Sequence, residues 1–323
     1  MPSFSLRRFV LAVILTILPI GMTAQKTYKL KKWHVPAAHY SGITPMGDGR
    51  YAVVSDEESQ AGFYVWRVEI DTLKGRVRNV SDEGFRGVAF DIDRDAEGVA
   101  FCPPLQTVFV SGEADQRILE HRIDGTLTGR ELAVPTDYGK SRIQANRGFE
   151  ALGYDSLRAS FWTSPESPLQ GESGLRVPLL RFGTDLRLQQ TVDYELDAPQ
   201  ARNHGRDHYH GVVAITPMAD GTLLILEREA RIARRYSGSR CWCRLYQFDP
   251  STGTKRLRSQ WCTRLTPTNS RFSNYEGMCL GPKLADGRQT VLLVADSQGG
   301  YGRALWHLRD KLRLLILEPE EQE

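Results

Sequence analysis

The sequence predicts an all-β fold, a β-propeller of five or six four-stranded blades, on three observations. A short motif recurs five times along the 323-residue chain. Each copy has the pattern of two strands around a turn. The copies begin every fifty to seventy residues or so, which is the spacing of propeller blades with moderate loop insertions.

Each repeat opens on a polar or charged residue followed by Gly or Ala, runs through an apolar stretch and closes on a carboxylate. In the first three repeats the opening residue and the closing carboxylate lie sixteen residues apart. A β-hairpin places the start of its first strand beside the end of its second, so we expect both residues at one end of every blade, in a ring. The repeats are Ser41-Gly42-Ile43 to Asp56-Glu57, Glu97-Gly98-Val99 to Glu113, Glu150-Ala151-Leu152 to Glu166, His210-Gly211-Val212 to Glu227, and Glu276-Gly277-Met278 to Asp296.

The residue types predict about four strands in each repeat. β-Branched and aromatic residues follow Gly and Asp turns, as in Tyr51–Val54 and Leu223–Leu226, and this pattern is typical of hairpins. Further strand-like segments follow most hairpins, namely Gly62–Ile70, Arg117–Ile123 and Cys243–Phe248.

The two chain ends are expected to complete the last blade. The strand-like tail Leu312–Leu317 is expected to pair with residues near Tyr28–Val35, and such a pairing removes exposed sheet edges. A sixth blade, if present, lies in the irregular stretches of residues 85–93 or 194–210.

The N-terminus predicts export. Arg7-Arg8 precede an apolar run, Phe9–Ile20, and the small residues around Ala24 suit cleavage by signal peptidase. The run is short for a membrane span, so a retained anchor is the weaker alternative. We therefore predict a signal peptide at residues 1–25 and a single domain at residues 26–323 of a periplasmic or secreted protein.

Composition gives no indication of a nucleic-acid partner. A quarter of the residues are charged and the formal net charge is only +3, so nucleic-acid binding is not indicated, and we expect a monomer. One basic cluster is better explained as a solvated loop than as an anion site. It comprises Arg228, Arg231, Arg234, Arg235 and Arg240.

The five cysteines would fold in an oxidising compartment, where one must stay unpaired. If the strands on either side of the turn Asp249–Gly253 form a hairpin, Cys241 faces Cys262 approximately, and we predict a disulfide between them. A register shift of one or two residues favours Cys243 instead. Buried free thiols are an equally weighted alternative. A zinc site is not indicated, because the Cys-x-Cys spacing is tight and no matching His pair stands nearby.

The ring of carboxylates is the candidate site. Carboxylates brought close together raise one another's pKa unless a cation or an Arg neutralises them. Hard oxygen ligands of this kind suit Ca²⁺. Arg147 and Arg228 are candidates for the countercharge or for binding a substrate phosphate. The candidate carboxylates are Asp56, Glu57, Glu97, Glu113, Glu150, Glu166, Glu227, Glu276 and Asp296.

The segment His204–His210 contains three His and an Asp, which suit a transition metal or proton transfer. His210 occupies an opening position of a repeat and is a candidate site residue. For His204 and His208 a polar loop role is favoured. The chain has no Gly-x-Ser-x-Gly elbow, Walker loop or His-Glu-x-x-His motif, so we expect no covalent nucleophile of those classes.

Five motifs occur in order along the chain: Asp95-Ala-Glu-Gly-Val99, Val110-Ser-Gly-Glu113, Asn146-Arg-Gly-Phe-Glu-Ala-Leu152, Leu224-Ile-Leu-Glu-Arg228 and Asn274-Tyr-Glu-Gly-Met278. Together they resemble the motifs of the phytase-like propeller family, often labelled esterase-like activity of phytase. The similarity runs from Ser41 to about Trp306. It implies an exported propeller whose acidic residues form a candidate phosphoesterase site, with Ca²⁺ by analogy with true propeller phytases.

The chain departs from the family pattern at several positions. Ala96 stands where the family usually has Pro, Ala151 where it usually has Gly, and His210 where the opening residues are commonly Ser-Glu. The last repeat ends Asp296-Ser-Gln-Gly-Gly300, whereas the family tends to have an Asp-Asn-Asn-Phe-like run. If that Asn binds metal or substrate in relatives, the site of this protein is altered.

The leading hypothesis is an exported, metal-dependent phosphoesterase. The metal polarises the phosphoryl oxygen and lowers the pKa of a bound water, and a carboxylate accepts the proton. The expected roles are Ca²⁺ binding by Glu97, Glu150, Glu276 and Asp296, phosphate binding by Arg147 and Arg228, and proton transfer by Glu113, Glu227 or His210.

Two alternatives stay open. One is a non-catalytic propeller that binds a ligand or an envelope partner, with a structural Ca²⁺ or no metal. The other is an enzyme acting on a sugar acid or lactone, for which Asn146 and Asn274 would join the acidic ligands.

Overall fold

Antiparallel sheets repeat five times around one axis in the computed structural model, which describes residues 24–266, 269–296 and 308–319. These residues form twenty-one strands and two short 3₁₀ helices, Leu30–Trp33 and Thr136–Tyr138. Among the described residues, no helix has the length and apolar character needed to cross a membrane. The fold is an all-β propeller.

Four blades run outward from the axis in chain order. Blade 1 comprises β2 (Tyr40–Gly47), β3 (Arg50–Ser55), β4 (Gln60–Asp71) and β5 (Arg76–Ala89). Blade 2 comprises β6 (Ala96–Cys102), β7 (Thr107–Gly112), β8 (Arg117–Arg122) and β9 (Leu127–Glu131). Blade 3 comprises β10 (Phe149–Asp155), β11 (Ser160–Pro165), β12 (Arg176–Gly183) and β13 (Leu188–Glu195). Blade 4 comprises β14 (Asp207–Pro217), β15 (Leu223–Ile232), β16 (Arg240–Asp249), β17 (Thr254–Thr266) and the two-residue β18 (Asn269–Ser270).

Blade 5 contains strands from both ends of the chain. From the axis outward it consists of β19 (Asn274–Leu280), β20 (Thr290–Asp296), β21 (Lys311–Ile316) and β1 (Ala24–Lys29). Tyr28 pairs with Leu312, and Gln25 pairs with Leu315. The predicted signal peptide lies almost wholly outside the described residues and stays a prediction.

The blade number is five among the described residues, so the sixth blade that the sequence left open is not found there. Residues 85–89 belong to β5, and residues 207–210 belong to β14. Both irregular stretches therefore extend the edges of existing blades. The innermost strands contact one another in a closed ring, in the order β2, β6, β10, β14, β19 and back to β2.

The core lies between the blades. Five clusters of buried apolar side chains fill the five junctions between neighbouring sheets. Successive side chains on a strand point to opposite faces of the sheet. In blade 1, Val53 therefore packs toward blade 5, while Val54 packs toward blade 2. Each sheet is thus buried on both faces, which explains the apolar stretches of the repeat.

The hairpin turns follow their residue types. The β2–β3 turn contains Gly47, Asp48 and Gly49, with φ values of 93°, 53° and 73°. Gly and Asp tolerate this left-handed conformation best. The turn at residues 249–253 joins β16 to β17 as the sequence predicts.

Candidate functional site

β-Bulges in the innermost strands aim the opening residues of four repeats at the axis. The strand pairing shifts register at or beside Ser41, Glu97, Glu150 and Glu276. A bulge inserts an extra residue and re-aims its side chain. The three bulged glutamates reach the same axial cavity.

The Gly after the opening residue allows the innermost strands to approach one another. A Cβ at Gly42 would lie 2.5 Å from the carbonyl oxygen of Glu97, and one at Gly98 would lie 2.7 Å from that of Glu150. Real Cβ contacts are not this short, so only Gly fits without a shift of the backbone. The Gly of the repeat is therefore a packing requirement that draws the acidic residues together.

The axial cavity has a volume of about 190 Å³, and half of its lining residues are carboxylates. It contains all four residues predicted to bind metal. Asn146, Tyr209 and Asn274 also line it. The charged lining residues are Asp56, Asp95, Glu97, Glu113, Glu150, Glu276 and Asp296, with Arg228.

Two groups of three residues are close enough to share a cation, and Asp56 belongs to both. One group is Asp56, Asp95 and Glu97, and the other is His39, Asp56 and Asp296, with one ligand atom from each residue within 4.8 Å of the others. His39 Nδ1 lies 3.1 Å from Asp56 Oδ1 and 3.7 Å from Asp296 Oδ1. Of the predicted ligands, Glu97 and Asp296 fall in these groups.

Glu150 and Glu276, the other two predicted ligands, face Arg228. Arg228 Nη1 donates to Glu276 Oε1 and, over 3.0 Å, to Asn274 Oδ1. Its Nη2 donates to Glu166 Oε1 over 2.6 Å and lies 3.7 Å from Glu150 Oε2. The buried guanidinium is thus the countercharge for one side of the cavity, and its Nη donors are used within the protein.

The register of the inner hairpin in blade 4 differs from the one that the sequence predicts. Its bulge lies at Val213, three residues after His210. In blade 4, Ala214 pairs with Leu226, and Arg228 lies two residues after Leu226. In blade 1, Gly42 pairs with Val54, and Asp56 lies two residues after Val54. Arg228 therefore occupies in blade 4 the position that Asp56 occupies in blade 1. The ring position of the closing carboxylate is therefore filled by an arginine.

In this register neither His210 nor Glu227, two of the residues predicted to be catalytic, lines the axial cavity. His210 pairs with Glu229 in the sheet, and burial lowers the pKa of its imidazole. Glu227 points to the other face of β15, where it accepts hydrogen bonds from Lys255 Nζ (2.5 Å) and the Tyr194 hydroxyl (2.8 Å). Adjacent residues on a strand face opposite sides, which explains why Arg228 reaches the axis and Glu227 does not.

Glu113, the third predicted catalytic residue, does line the cavity. Its Oε1 accepts the backbone N–H of Gly148 over 2.7 Å. Burial, the largest cause, raises the pKa of Glu113 to about 7, with smaller contributions from neighbouring carboxylates.

Several other carboxyls in the cavity share this shift. Burial and neighbouring carboxylates raise the pKa of Glu97 and Glu150 well above the ordinary value. Burial likewise raises the pKa of Glu276, although Arg228 opposes the change. The pKa of Asp56 is raised to about 6, chiefly by burial, while His39 lowers it. The cavity therefore favours any cation that enters it.

Arg147 lies at the edge of the site. Its Nη1 donates to Glu166 Oε2 over 2.6 Å, its Nη2 donates to the carbonyl oxygen of His208 over 3.0 Å, and its guanidinium stacks on the Tyr209 ring. The side chain of Arg147 is 17% exposed, against 4% for Arg228.

His39 and Asp95 are site residues to which the sequence reasoning gave no role. Each lies two residues before an opening residue, as Asn274 does in blade 5. Asp95 adopts a φ of 53° just ahead of the bulge, a conformation that Asp tolerates. The sequence feature that indicates these site residues is the position two residues before the opening residue, which is His, Asp or Asn in three of the repeats.

The predicted Cys241–Cys262 disulfide is absent, and all five cysteines are free. Cys241 pairs with Thr263, while Cys262 pairs with Trp242. A difference of one residue places the two side chains on opposite faces of the sheet, so Cys241 is buried and Cys262 is exposed. Cys243 lies on the same face as Cys241, with 3.8 Å between the sulfurs.

The basic cluster of the sequence divides between the core and the surface. Arg228 is buried at the axis, whereas Arg234, Arg235 and Arg240 are exposed. Arg231 Nε donates to the side chain of Asn203 over 2.9 Å.

Comparison with solved structures returns proteins of several kinds at low identity. The periplasmic gluconolactonase PpgL of Pseudomonas aeruginosa is 16% identical over 87% of this chain and 74% of that one, with a TM-score of 0.40. The PQQ-bound aldose sugar dehydrogenase of Streptomyces coelicolor is 13% identical over 91% and 99%, with a TM-score of 0.46. A chain of a nidogen/laminin complex is 12% identical over 86% and 84%, with a TM-score of 0.43. We draw no functional inference from similarity at this level.

No curated protein matches the chain significantly. The family model described as phytase-like, esterase-like activity of phytase, matches residues 36–298, which contain blades 1–4 and the two inner strands of blade 5. The resemblance carried by the five motifs is confirmed, and this chain belongs to the phytase-like family.

Proposed function

We propose that this chain is an exported, calcium-dependent hydrolase of phosphoric esters. The observation that carries the proposal is the excess of acid around the axial cavity, where seven carboxyl groups and one guanidinium meet. Such a cluster is unfavourable without a cation, and family membership adds support for an esterase.

Asp56, Asp95 and Glu97 fit the cation. They offer only oxygen atoms, the donors that Ca²⁺ prefers, and they lie within 4.8 Å of one another. Across the cavity, Glu150 Oε2 is buried and accepts no hydrogen bond from any described residue. When bound, the ion supplies positive charge that polarises a phosphoryl oxygen and lowers the pKa of water.

The protein's own groups bind substrate and move the proton. Glu113 lines the cavity, and its hydrogen bond from the Gly148 N–H holds the carboxylate in place. Its raised pKa suits a proton acceptor near neutral pH. Arg147 is the arginine assigned to the substrate phosphate, because its side chain keeps 17% exposure. Its Nη groups would bind the phosphate in addition to Glu166 and the His208 carbonyl oxygen. Arg228 instead neutralises Glu166 and Glu276.

Hydrolysis of p-nitrophenyl phosphate and bis-p-nitrophenyl phosphate, with and without Ca²⁺, tests this proposal. We expect Ca²⁺-dependent turnover in the wild type and a loss of at least 100-fold in E97Q and in E113Q. The matched control is E131Q, which removes a partly exposed carboxylate that pairs with Arg117 on the outer strand of blade 2, away from the cavity. Turnover that is equal in E97Q and the wild type contradicts the proposal.

A second candidate function is a non-catalytic propeller in which the carboxylates hold a structural cation. The pairing of Glu166 and Glu276 with Arg228 favours it, because these groups are already neutralised within the protein. A folded wild type that binds Ca²⁺ and hydrolyses neither ester would support this candidate instead.

A further inference from the structure

Two histidines converge beside the axial cavity in an arrangement that the proposed hydrolase does not use. His204 lies in the loop before β14, and His208 lies in β14. Their Nδ1 atoms are 3.1 Å apart, and their ring planes meet at 71°. His204 is exposed and the His208 side chain is 11% exposed, so the pair faces solvent on one side.

Glu229 holds the His208 ring in place. Glu229 Oε2 accepts the backbone N–H of Gln200 over 2.6 Å, and Oε1 accepts that of Ala201 over 2.8 Å. Both oxygens therefore act as acceptors. His208 Nε2 lies 3.0 Å from Glu229 Oε1, so Nε2 is the donor in this contact.

With Nε2 as the donor, the neutral ring of His208 keeps a lone pair on Nδ1, which lies 3.1 Å from His204 Nδ1. A carboxylate behind a histidine is the arrangement that orients imidazole ligands in metal sites. Two nitrogens 3.1 Å apart fit a common ion at roughly 2.0–2.1 Å from each, with an N–metal–N angle of about 100°.

We propose that His204 Nδ1 and His208 Nδ1 form a surface binding site for a transition-metal dication such as Zn²⁺. Without metal, His204 Nδ1–H donates to His208 Nδ1. When the ion binds, His204 changes tautomer: its proton moves through solvent from Nδ1 to Nε2, and the freed Nδ1 lone pair coordinates the metal with no net release of a proton. The remaining coordination positions are filled by water.

This site is separate from the carboxylates of the cavity, although β14 connects the two. The carbonyl oxygen of His208 accepts from Arg147, and the next residue, Tyr209, lines the cavity. Nitrogen ligands distinguish the two sites, because imidazole suits Zn²⁺ whereas carboxylate oxygens suit Ca²⁺. The inference does not rest on the proposed hydrolase function.

Calorimetric titration of the untagged protein with Zn²⁺, in excess Ca²⁺, tests the site. We expect the wild type to bind Zn²⁺ with a micromolar Kd, and H204A and H208A to bind it at least 10-fold more weakly. E229Q should weaken binding by about 10-fold, since it removes the carboxylate that orients His208. H34A, which removes an exposed histidine elsewhere, should bind as the wild type does.

Equal Zn²⁺ affinity in the wild type, H204A and H208A overturns the proposal, and so does a wild type that binds no Zn²⁺. Circular dichroism of each variant verifies that a loss of binding is not a loss of fold. The comparison among histidine variants is independent of whether Ca²⁺ binds the cavity.

Discussion

Arg228 and Glu166 form a buried ion pair at the propeller axis, with 2.6 Å between Arg228 Nη2 and Glu166 Oε1. Arg228 comes from blade 4 and Glu166 from blade 3, and the same guanidinium also contacts Glu276 of blade 5. One arginine therefore connects three blades and neutralises one side of an otherwise acidic cavity. The opposite side, around Asp56 and Glu97, has no arginine among its lining residues and is where we place the cation.

Replacing Arg228 with Met should destabilise the protein strongly. The change leaves Glu276 and one oxygen of Glu166 buried without their cation, and breaking a buried ion pair costs about 3–5 kcal/mol. Urea unfolding of the Ca²⁺-free protein measures the loss. R231M is the matched control, because Arg231 is only partly buried and contacts Asn203. An R228M variant as stable as the wild type contradicts the role given to Arg228.

Stability without Ca²⁺ should fall as the pH rises from 5 to 7.5. The folded-state pKa of Asp56 is about 6 and that of Glu113 about 7, both above their ordinary values. Groups with raised folded pKa values contribute stability that is full below their unfolded pKa and is lost as the pH rises through the folded pKa.

Ca²⁺ should reverse this dependence, because the ion competes with protons for the same carboxylates. We expect the rise in Tm on adding Ca²⁺ to be largest at pH 7.5 and to shrink at pH 5.5. Thermal unfolding by circular dichroism at both values measures it. A Ca²⁺ effect that is larger at pH 5.5 is inconsistent with a carboxylate site.

The five cysteines should all titrate as thiols in the denatured protein, since none is paired. In the native protein one thiol, that of exposed Cys262, should react, because the other four are buried. Ellman's reagent with and without guanidinium chloride makes the comparison on protein purified without reductant. Recovery of three thiols or fewer after denaturation would indicate a disulfide and contradict the register of β16 and β17.

Replacing Gly98 with Ala should destabilise the contact between the innermost strands β6 and β10. An Ala Cβ would lie 2.7 Å from the carbonyl oxygen of Glu150 and from Ser111 Oγ, and overpacking of this kind costs about 1–3 kcal/mol. G98A should also weaken Ca²⁺ binding, because Glu97 precedes the displaced residue. The control is G139A, where the nearest atom is 3.3 Å away in an open turn. Unchanged stability in G98A argues against close contact between β6 and β10.

The sequence predicts structure correctly where the local residue pattern and the repeat indicate the same element. The hairpins follow from turn residues such as Gly47 and Gly49, and the grouping of Glu97, Glu150 and Glu276 follows from their equal place in the repeat. Blade 4 was misassigned because His210-Gly211 imitates an opening pair, whereas the bulge lies at Val213. Bulge position depends on contacts with neighbouring blades, which a single repeat does not encode.

A one-residue error has large consequences in a sheet. It places Glu227 among the ring carboxylates, although only its neighbour Arg228 reaches the axis, and it sets Cys241 opposite Cys262, although Cys241 pairs with Thr263. Side chains alternate between the faces of a strand, so each slip moves a residue from one face to the other. The general position of the site was accessible from sequence, and the face that each side chain occupies was not.

Calcium titration by calorimetry of the wild type, D56N, E97Q and the control E131Q tests whether the axial cavity binds a cation. We expect the wild type and E131Q to bind Ca²⁺ equally, and D56N and E97Q to bind at least 10-fold more weakly and stay folded. A folded wild type that binds no Ca²⁺, or an E97Q variant with unchanged affinity, would contradict a cation site in the axial cavity.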